Sequence, residues 1–533
     1  MSENKIIFAK AGKYLKKEIA IDLKTANRHG FICGATGTGK TVTLKVLSEA
    51  FSKAGVPVFL SDIKGDLSGM MMAGESTDDM KERIEKFGIG DSFSYKAYPT
   101  EFFDVYGENG IPLRTTVTKM GPLLLSQCLG LNDTQTDLLT VAFKIADDLD
   151  LLLIDLKDIK AMLNYIYDNQ NELETEYGHM AKQSITAIIR SIVALEAEGG
   201  EKFFGEPAID ISDFIRLSED GQGYINILDA KALMNKPKLY SAFLLFLLSE
   251  LFEELPEVGD PEKPKMVVFF DEAHLIFDNT SSALKEKMAQ VIKLIRSKGV
   301  GVYFVTQSPK DIPEDILSQL SNKVEHALRA YTPAERKALK AAADSFRENP
   351  DFDTLELLEQ LGTGEAIVSV LGDDGVPSVA EHAYILPPES YIGVVTDAAR
   401  KDNVLRSSLI DKYYEMNDRD SCYEFMARKM KLKEEAEQKE EEAEKALIEQ
   451  EKAEKEQEKE REKAEKEARK AAEKAAKQNA RAVKSVLSTT AGTIGRQVGN
   501  TIGKSLGGKY GKTLGGNIGA SLGRNILGTL FRL

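Results

Sequence analysis

The run Gly34-Ala35-Thr36-Gly37-Thr38-Gly39-Lys40-Thr41 constrains this chain more than any other stretch, because it works only between a strand and a helix. Its pattern is G-x-x-x-x-G-K-T. Glycines at those positions let backbone N–H groups curl around a phosphate, the lysine adds charge at the β/γ-phosphates, and the threonine hydroxyl is placed to ligate Mg²⁺. The flanks agree. Gly30-Phe31-Ile32-Cys33 is a short apolar run, and Val42 to Phe51 has helical periodicity. A helix that starts there points its positive end at the anion. The expected ligand is ATP with Mg²⁺, contacted by Gly34, Ala35, Thr36, Gly37, Thr38, Gly39, Lys40, Thr41 and Val42.

A phosphate loop needs a partner acid for the metal, and hydrolysis needs a base. Met266-Val267-Val268-Phe269-Phe270-Asp271-Glu272 offers both at the exit of an apolar strand. Asp271 is placed to hold Mg²⁺ through water, beside Thr41, and Glu272 to polarise the attacking water. Thr306-Gln307 ends the next apolar run, and an amide at that point can sense the terminal phosphate or orient the water.

Around these motifs, residues 1–400 alternate strand and helix patterns, which argues for a mainly parallel sheet in an α/β domain. Further strands are expected at 57–62, 301–307, 323–330 and 224–228, and a hairpin at 366–371 and 379–386. Between about 112 and 220 the pattern turns wholly helical, as in an all-helical insertion. Residues 401–430 read as a connecting segment.

Five short motifs stand in order along residues 5–390. They are Arg28-His29-Gly30, Asp62-Ile63-Lys64-Gly65-Asp66, Asp271-Glu272-Ala273-His274, Arg296-Ser297-Lys298-Gly299-Val300-Gly301 and Val305-Thr306-Gln307-Ser308-Pro309. With them the chain resembles the HerA/FtsK superfamily of RecA-like motor ATPases, and most of all the bacterial HerA-like proteins. The resemblance implies a RecA-like P-loop NTPase core and a homo-oligomeric ring, a hexamer, with each nucleotide between two subunits. It implies that Arg296 of one subunit serves the neighbour's nucleotide, with Arg329 as a second candidate for that role, and that DNA is a partner. Two departures from the family's pattern stand out. Only about 30 residues precede the loop, too few for the N-terminal β-barrel of HerA motors, and neither the membrane spans nor the winged helix of FtsK-type translocases is evident.

Composition bears on the partners. The net charge of −15 is uneven: residues 481–533 carry eight basic and no acidic residues, residues 431–480 are close to balanced, and residues 1–430 hold −20. An acidic body argues against coating nucleic acid along an outer face, though not against a basic pore. Within the charged helix expected over residues 431–483, residues 430–480 are almost purely Glu, Lys, Ala, Arg and Gln, with i,i+4 pairs such as Glu441–Lys445 and Glu462–Lys466 that stabilise a solvated helix. Leu447 and Ile448 are the only large aliphatics between Leu432 and residue 480, so a solitary spacer helix is favoured over a coiled coil. Residues 484–533 pair an apolar residue with a glycine every four positions, from Ile494-Gly495 to Leu522-Gly523. That glycine-zipper-like, basic tail suits close helix packing or contact with a protein partner or an anionic membrane surface.

Three scattered cysteines suit a reducing compartment. No stretch of 18 apolar residues suggests a membrane span. The five histidines read as ordinary surface or core residues. The expectation is a cytoplasmic, ring-forming ATPase that translocates DNA, with peripheral membrane contact through the tail. The alternative is an ATP-switched scaffold or tether whose tail docks to a membrane or protein without DNA translocation.

Overall fold

Strands that are apolar from end to end are suited to a sheet covered on both faces, and the computed structural model, which describes residues 4–259, 261–277, 282–372 and 374–483, contains such a sheet. Its strands are β1 (Lys5–Ala11), β2 (Lys17–Asp22), β3 (Gly30–Cys33), β4 (Val58–Asp62), β5 (Thr100–Asp104), β6 (Ile111–Pro112), β7 (Ile225–Asp229), β8 (Met266–Phe270), β9 (Val300–Thr306), β10 (Asn322–His326), β11 (Glu365–Ser369) and β12 (Glu381–Ile385). They lie in the order β2-β1-β12-β11-β10-β3-β9-β8-β4-β7-β5-β6. From β10 to β6 every pairing is parallel. The four strands on the other side pair antiparallel. The α/β class expected from the sequence is the one observed.

Period-two alternation sends neighbouring residues to opposite faces. Phe31, Cys33 and Phe59 join one core, while Ile32, Val58 and Leu60 join the other. The helix Lys40–Lys53 covers the second face. The helices Pro237–Glu254 and Ser282–Ile295 cover the first, together with the helical segment between β6 and β7. That segment holds Val117–Leu129, Asp133–Asp148, Leu156–Asp168 and Lys182–Ala197, each amphipathic enough to bury one stripe. Asn132 and Asp155 cap two of them with full capping boxes.

The sequence-based reading had no strands at 5–22 or 100–104. β1 and β2 form a hairpin that extends the sheet by pairing Ala9 with Ile385, a contact across most of the chain. The segment read as a connection is folded against the sheet domain. Lys412 Nζ donates to Asp213 Oδ2 at 2.8 Å, and Arg114 Nη1 to the Tyr413 carbonyl at 2.8 Å. The charged helix begins at Cys422 and runs to Val483. Its start is gripped by the buried Asp158 carboxylate, which accepts from Ser421 Oγ (2.6 Å) and Tyr423 N (2.8 Å). Leu447 and Ile448 are exposed. Contacts divide the chain into two units, Met1–Lys433 and Glu434–Leu533. The glycine-repeat tail, 484–533, lies outside the described residues. The three cysteines are buried and unpaired. Among the described residues no helix is long and apolar enough to cross a membrane.

Candidate active site

The phosphate loop leaves β3 at Cys33 and enters the helix at Lys40. Gly34 and Gly39 have φ of 152° and 115°. A Cβ at Gly34 would stand 2.5 Å from His326 Cβ, and one at Gly39 would stand 3.1 Å from Gly364 N. β10, the parallel neighbour of β3, continues beneath the loop and supports it. Ala35 N–H donates to the Ala327 carbonyl at 2.9 Å. His326 Nδ1 lies 2.8 Å from the Glu365 carbonyl and Nε2 lies 2.8 Å from Thr43 Oγ1. A carbonyl can only accept, so Nδ1 carries the proton and Nε2 accepts from the threonine. Burial lowers the His326 pKa to about 4, which keeps the ring neutral. Beside it, in register with Cys33, the buried Glu325 carboxyl is pushed up to about 8 by burial. Gly34→Ala is expected to destabilise the fold by about 1–3 kcal/mol through this clash and the left-handed backbone, visible as a lower melting temperature.

Lys40 is buried, and its ammonium donates to the loop's own carbonyls, Gly34 O at 2.5 Å and Ala35 O at 3.0 Å. Burial lowers its pKa, and the acids Glu272 and Asp271 oppose that. Thr41 and Val42 are half-buried at the helix start, while Thr36 and Gly37 are exposed. Lys40→Ala, which removes this charge and its hydrogen bonds, is expected to weaken nucleotide binding about a hundredfold in a fluorescence titration.

β9 separates β3 from β8 in the sheet, so the ends of three adjacent strands meet at one edge. Asp271 and Glu272 leave β8, and Gln307 leaves β9. Asp271 is buried and accepts the Glu272 N–H at 2.9 Å. Burial, with Glu272 alongside, raises its carboxyl to about 7. Glu272 is buried too, at φ 47°, a left-handed conformation that costs a non-glycine residue about 1–3 kcal/mol. Its Oε1 accepts from Lys64 Nζ at 2.5 Å, and its Oε2 from Gln307 Nε2 at 3.3 Å. His274 Nδ1 stands 3.3 Å from the same Oε2. Burial would raise the Glu272 carboxyl, but Lys64 and Gln307 outweigh it and hold it below the usual carboxylate range.

Beside the loop lies a cavity of about 740 Å³, bounded by Gly39, Val42, Arg83, Gly364, Tyr391 and Ile392. Arg83 Nη2 donates to the Ile385 carbonyl at 2.7 Å, and its guanidinium covers Gly364 so closely that a Cβ there would meet it at 2.5 Å. The wall at 389–391 is tied to the P-loop helix. Lys45 Nζ donates to Tyr391 O at 2.6 Å, and the Glu49 carboxylate accepts from Glu389 N and Ser390 N at 2.8 and 3.1 Å.

The structure thus brings Lys40, Thr41, Asp271, Glu272 and Gln307 to one sheet edge. It does not bring Arg296 or Arg329 into that cluster. Arg296 is exposed and precedes β9, at the strand end opposite the phosphate loop. Arg28, His29 and Gly30 share that far end, where His29 Nδ1 accepts from Val302 N at 3.0 Å and fastens β3 to β9. Arg329 Nη1 donates to Glu359 O at 2.7 Å, in the last turn of the helix Thr354–Gln360. Lys64, His274, His326 and Arg83 were not singled out from the sequence as site residues. Lys64 and His274 lie inside quoted motifs, which is the only signal that pointed to them.

The family described as helicase HerA-like C-terminal matches residues 9–513. The proteins called DNA double-strand break repair helicase HerA from Sulfurisphaera tokodaii and from Sulfolobus acidocaldarius are each 24% identical, over 364 and 372 residues, covering 66% of this chain. The chain spans 64% of the length of these curated relatives. The plasmid coupling protein TrwB in complex with ADP and Mg²⁺ shares the fold, with a TM-score of 0.50 at 13% identity, over 71% of this chain and 89% of that one.

Proposed function

The chain belongs to the helicase HerA-like C-terminal family, and from that premise we propose that it is an ATP-hydrolysing, ring-forming motor that acts on DNA. One observation carries the hydrolytic part: a buried ammonium, a buried metal-type carboxylate, a second carboxylate and an amide converge where β3, β8 and β9 end. The residues fit magnesium-bound ATP. The loop is a cradle that a Cβ at Gly34 would fill, and ionised Asp271 in its buried position calls for a cation. Lys40 would bind the β/γ-phosphates, Thr41 and Asp271 the metal, and the cavity walls the rest of the nucleotide. Glu272 would take the proton of the attacking water while Gln307 orients it. Bound Mg²⁺ supplies charge neutralisation between the phosphates.

The DNA part is supported by the relatives' names, which also favour a motor over a tether. Residues 1–400 are assigned as the ATPase domain, with its helical insertion at 112–220. Residues 431–483 serve as a spacer and 484–533 as a docking tail. The test is phosphate release with and without single- and double-stranded DNA, alongside mass measurement with and without ATP. DNA-stimulated turnover and an ATP-dependent ring support the reading. Turnover indifferent to DNA, with no salt-sensitive DNA binding, removes DNA from it.

A further inference from the structure

Glu272 is held away from the chemistry assigned to it. An oxygen that accepts from an ammonium at 2.5 Å does not present that lone pair to a water, and Lys64 holds Oε1 at that distance. Gln307 and His274 occupy the side of Oε2. The backbone cannot relieve this by local rotation. Glu272 stands at φ 47° with its N–H committed to Asp271.

Lys64 is the more exposed member of the pair. Its loop is fixed, because the Asp62 carboxylate accepts from Gly65 N at 2.6 Å and Leu67 N at 3.0 Å. Its side chain is 45% exposed, against 6% for that of Glu272. The Lys64 ammonium is partly solvated and can exchange one anion for another, whereas the buried Glu272 carboxylate is costly to leave unpaired, so release calls for a competing anion. The Lys64 charge is also felt by Lys40 and by Asp271, so it stands in the same electrostatic neighbourhood as the phosphate loop.

We propose that Lys64 is a positioning residue for Glu272, a latch that grips the carboxylate until a terminal phosphate draws the ammonium away. The inference rests on the nucleotide reading above. In it Lys64 has two alternative anionic partners, Glu272 and the γ-phosphate, and only the second leaves Oε1 free to accept a proton from water. ADP lacks the second partner, so the base stays latched after phosphate leaves.

The experiment compares binding of Mg·ADP and of a non-hydrolysable Mg·ATP analogue to the full chain by calorimetry. The variants are Lys64→Met, Lys64→Arg, Glu272→Gln and the double variant Lys64→Met/Glu272→Gln. Lys64→Met should weaken the analogue about tenfold, the scale of one charge-assisted hydrogen bond, and leave ADP unchanged. Lys64→Arg should keep most of the preference. Glu272→Gln removes the charge that holds the ammonium and leaves a weaker neutral acceptor, so it should tighten the analogue severalfold, and this gain should vanish in the Lys64→Met background. Equal loss of both ligands in Lys64→Met, an unchanged ratio, or a Glu272→Gln effect independent of residue 64 would overturn the latch. Wild-type protein that binds neither ligand would overturn the nucleotide reading and the latch together.

Discussion

Arg296→Ala is expected to reduce ATP turnover by about 10³–10⁵-fold, the range over which a phosphate-directed arginine acts, while nucleotide affinity stays near that of the wild type. The direction follows from topology. Arg296 sits before β9 and the candidate site lies after it, and the strand between them, Val300–Thr306, has seven residues. At about 3.3 Å per residue that is roughly 23 Å, which no arginine side chain spans. Arg296 therefore cannot serve the phosphate loop of its own chain, and a catalytic part for it requires a second copy. Mixed rings test this. Arg296→Ala subunits keep an intact hydrolytic cluster, and Glu272→Gln subunits keep an intact arginine, so mixing two inactive proteins should restore part of the phosphate release. Mixed assemblies that form but stay inactive would remove the assignment in trans. Undiminished turnover in Arg296→Ala alone would remove the arginine from catalysis altogether.

Glu272→Gln is expected to slow phosphate release by about 10²–10⁴-fold, the contribution of a general base, while ATP remains bound. Glutamine preserves the volume of the side chain and can still accept from Gln307, but it cannot accept a proton at neutral pH. The fold should tolerate the change, because the backbone at residue 272 is held through its own N–H and through Ala273 N, which donates to Val305 O at 2.9 Å. Rapid-quench measurement of a single turnover, with melting temperature as a control, separates the two expectations. Turnover within a fewfold of the wild type would place the base elsewhere. A large fall in melting temperature would make the loss uninterpretable as chemistry, and Glu272→Asp would then serve as the second variant.

Glu272 and Lys64 differ in how far they could be read from the chain alone. Glu272 was legible because an apolar strand that ends in Asp-Glu has few other uses, and the acid has to leave the sheet where the strand stops. The contact that Lys64 makes was not. Lysine is common in exposed loops, and its partner is 208 positions away in sequence. His326 was read as ordinary because nothing local marks it. Its role depends on β10 pairing parallel with β3 and carrying the ring beneath the loop. The strands β1, β2 and β5 escaped for the same reason: short segments of mixed polarity become strands when a distant edge accepts them.

What the sequence determined by itself is the chemistry that is local in the chain. Glycines where the backbone must turn left-handed, a lysine and threonine at a helix start, and acids at a strand end are set by spacing of a few residues. Only the tertiary structure decided which side chains restrain that chemistry and which are kept from it. Lys64 on Glu272, His326 beneath Gly34, Arg83 over Gly364 and Arg296 at the far end of β9 all depend on strand order. Strand order is decided by burial summed over the whole sheet, and no short segment carries that sum.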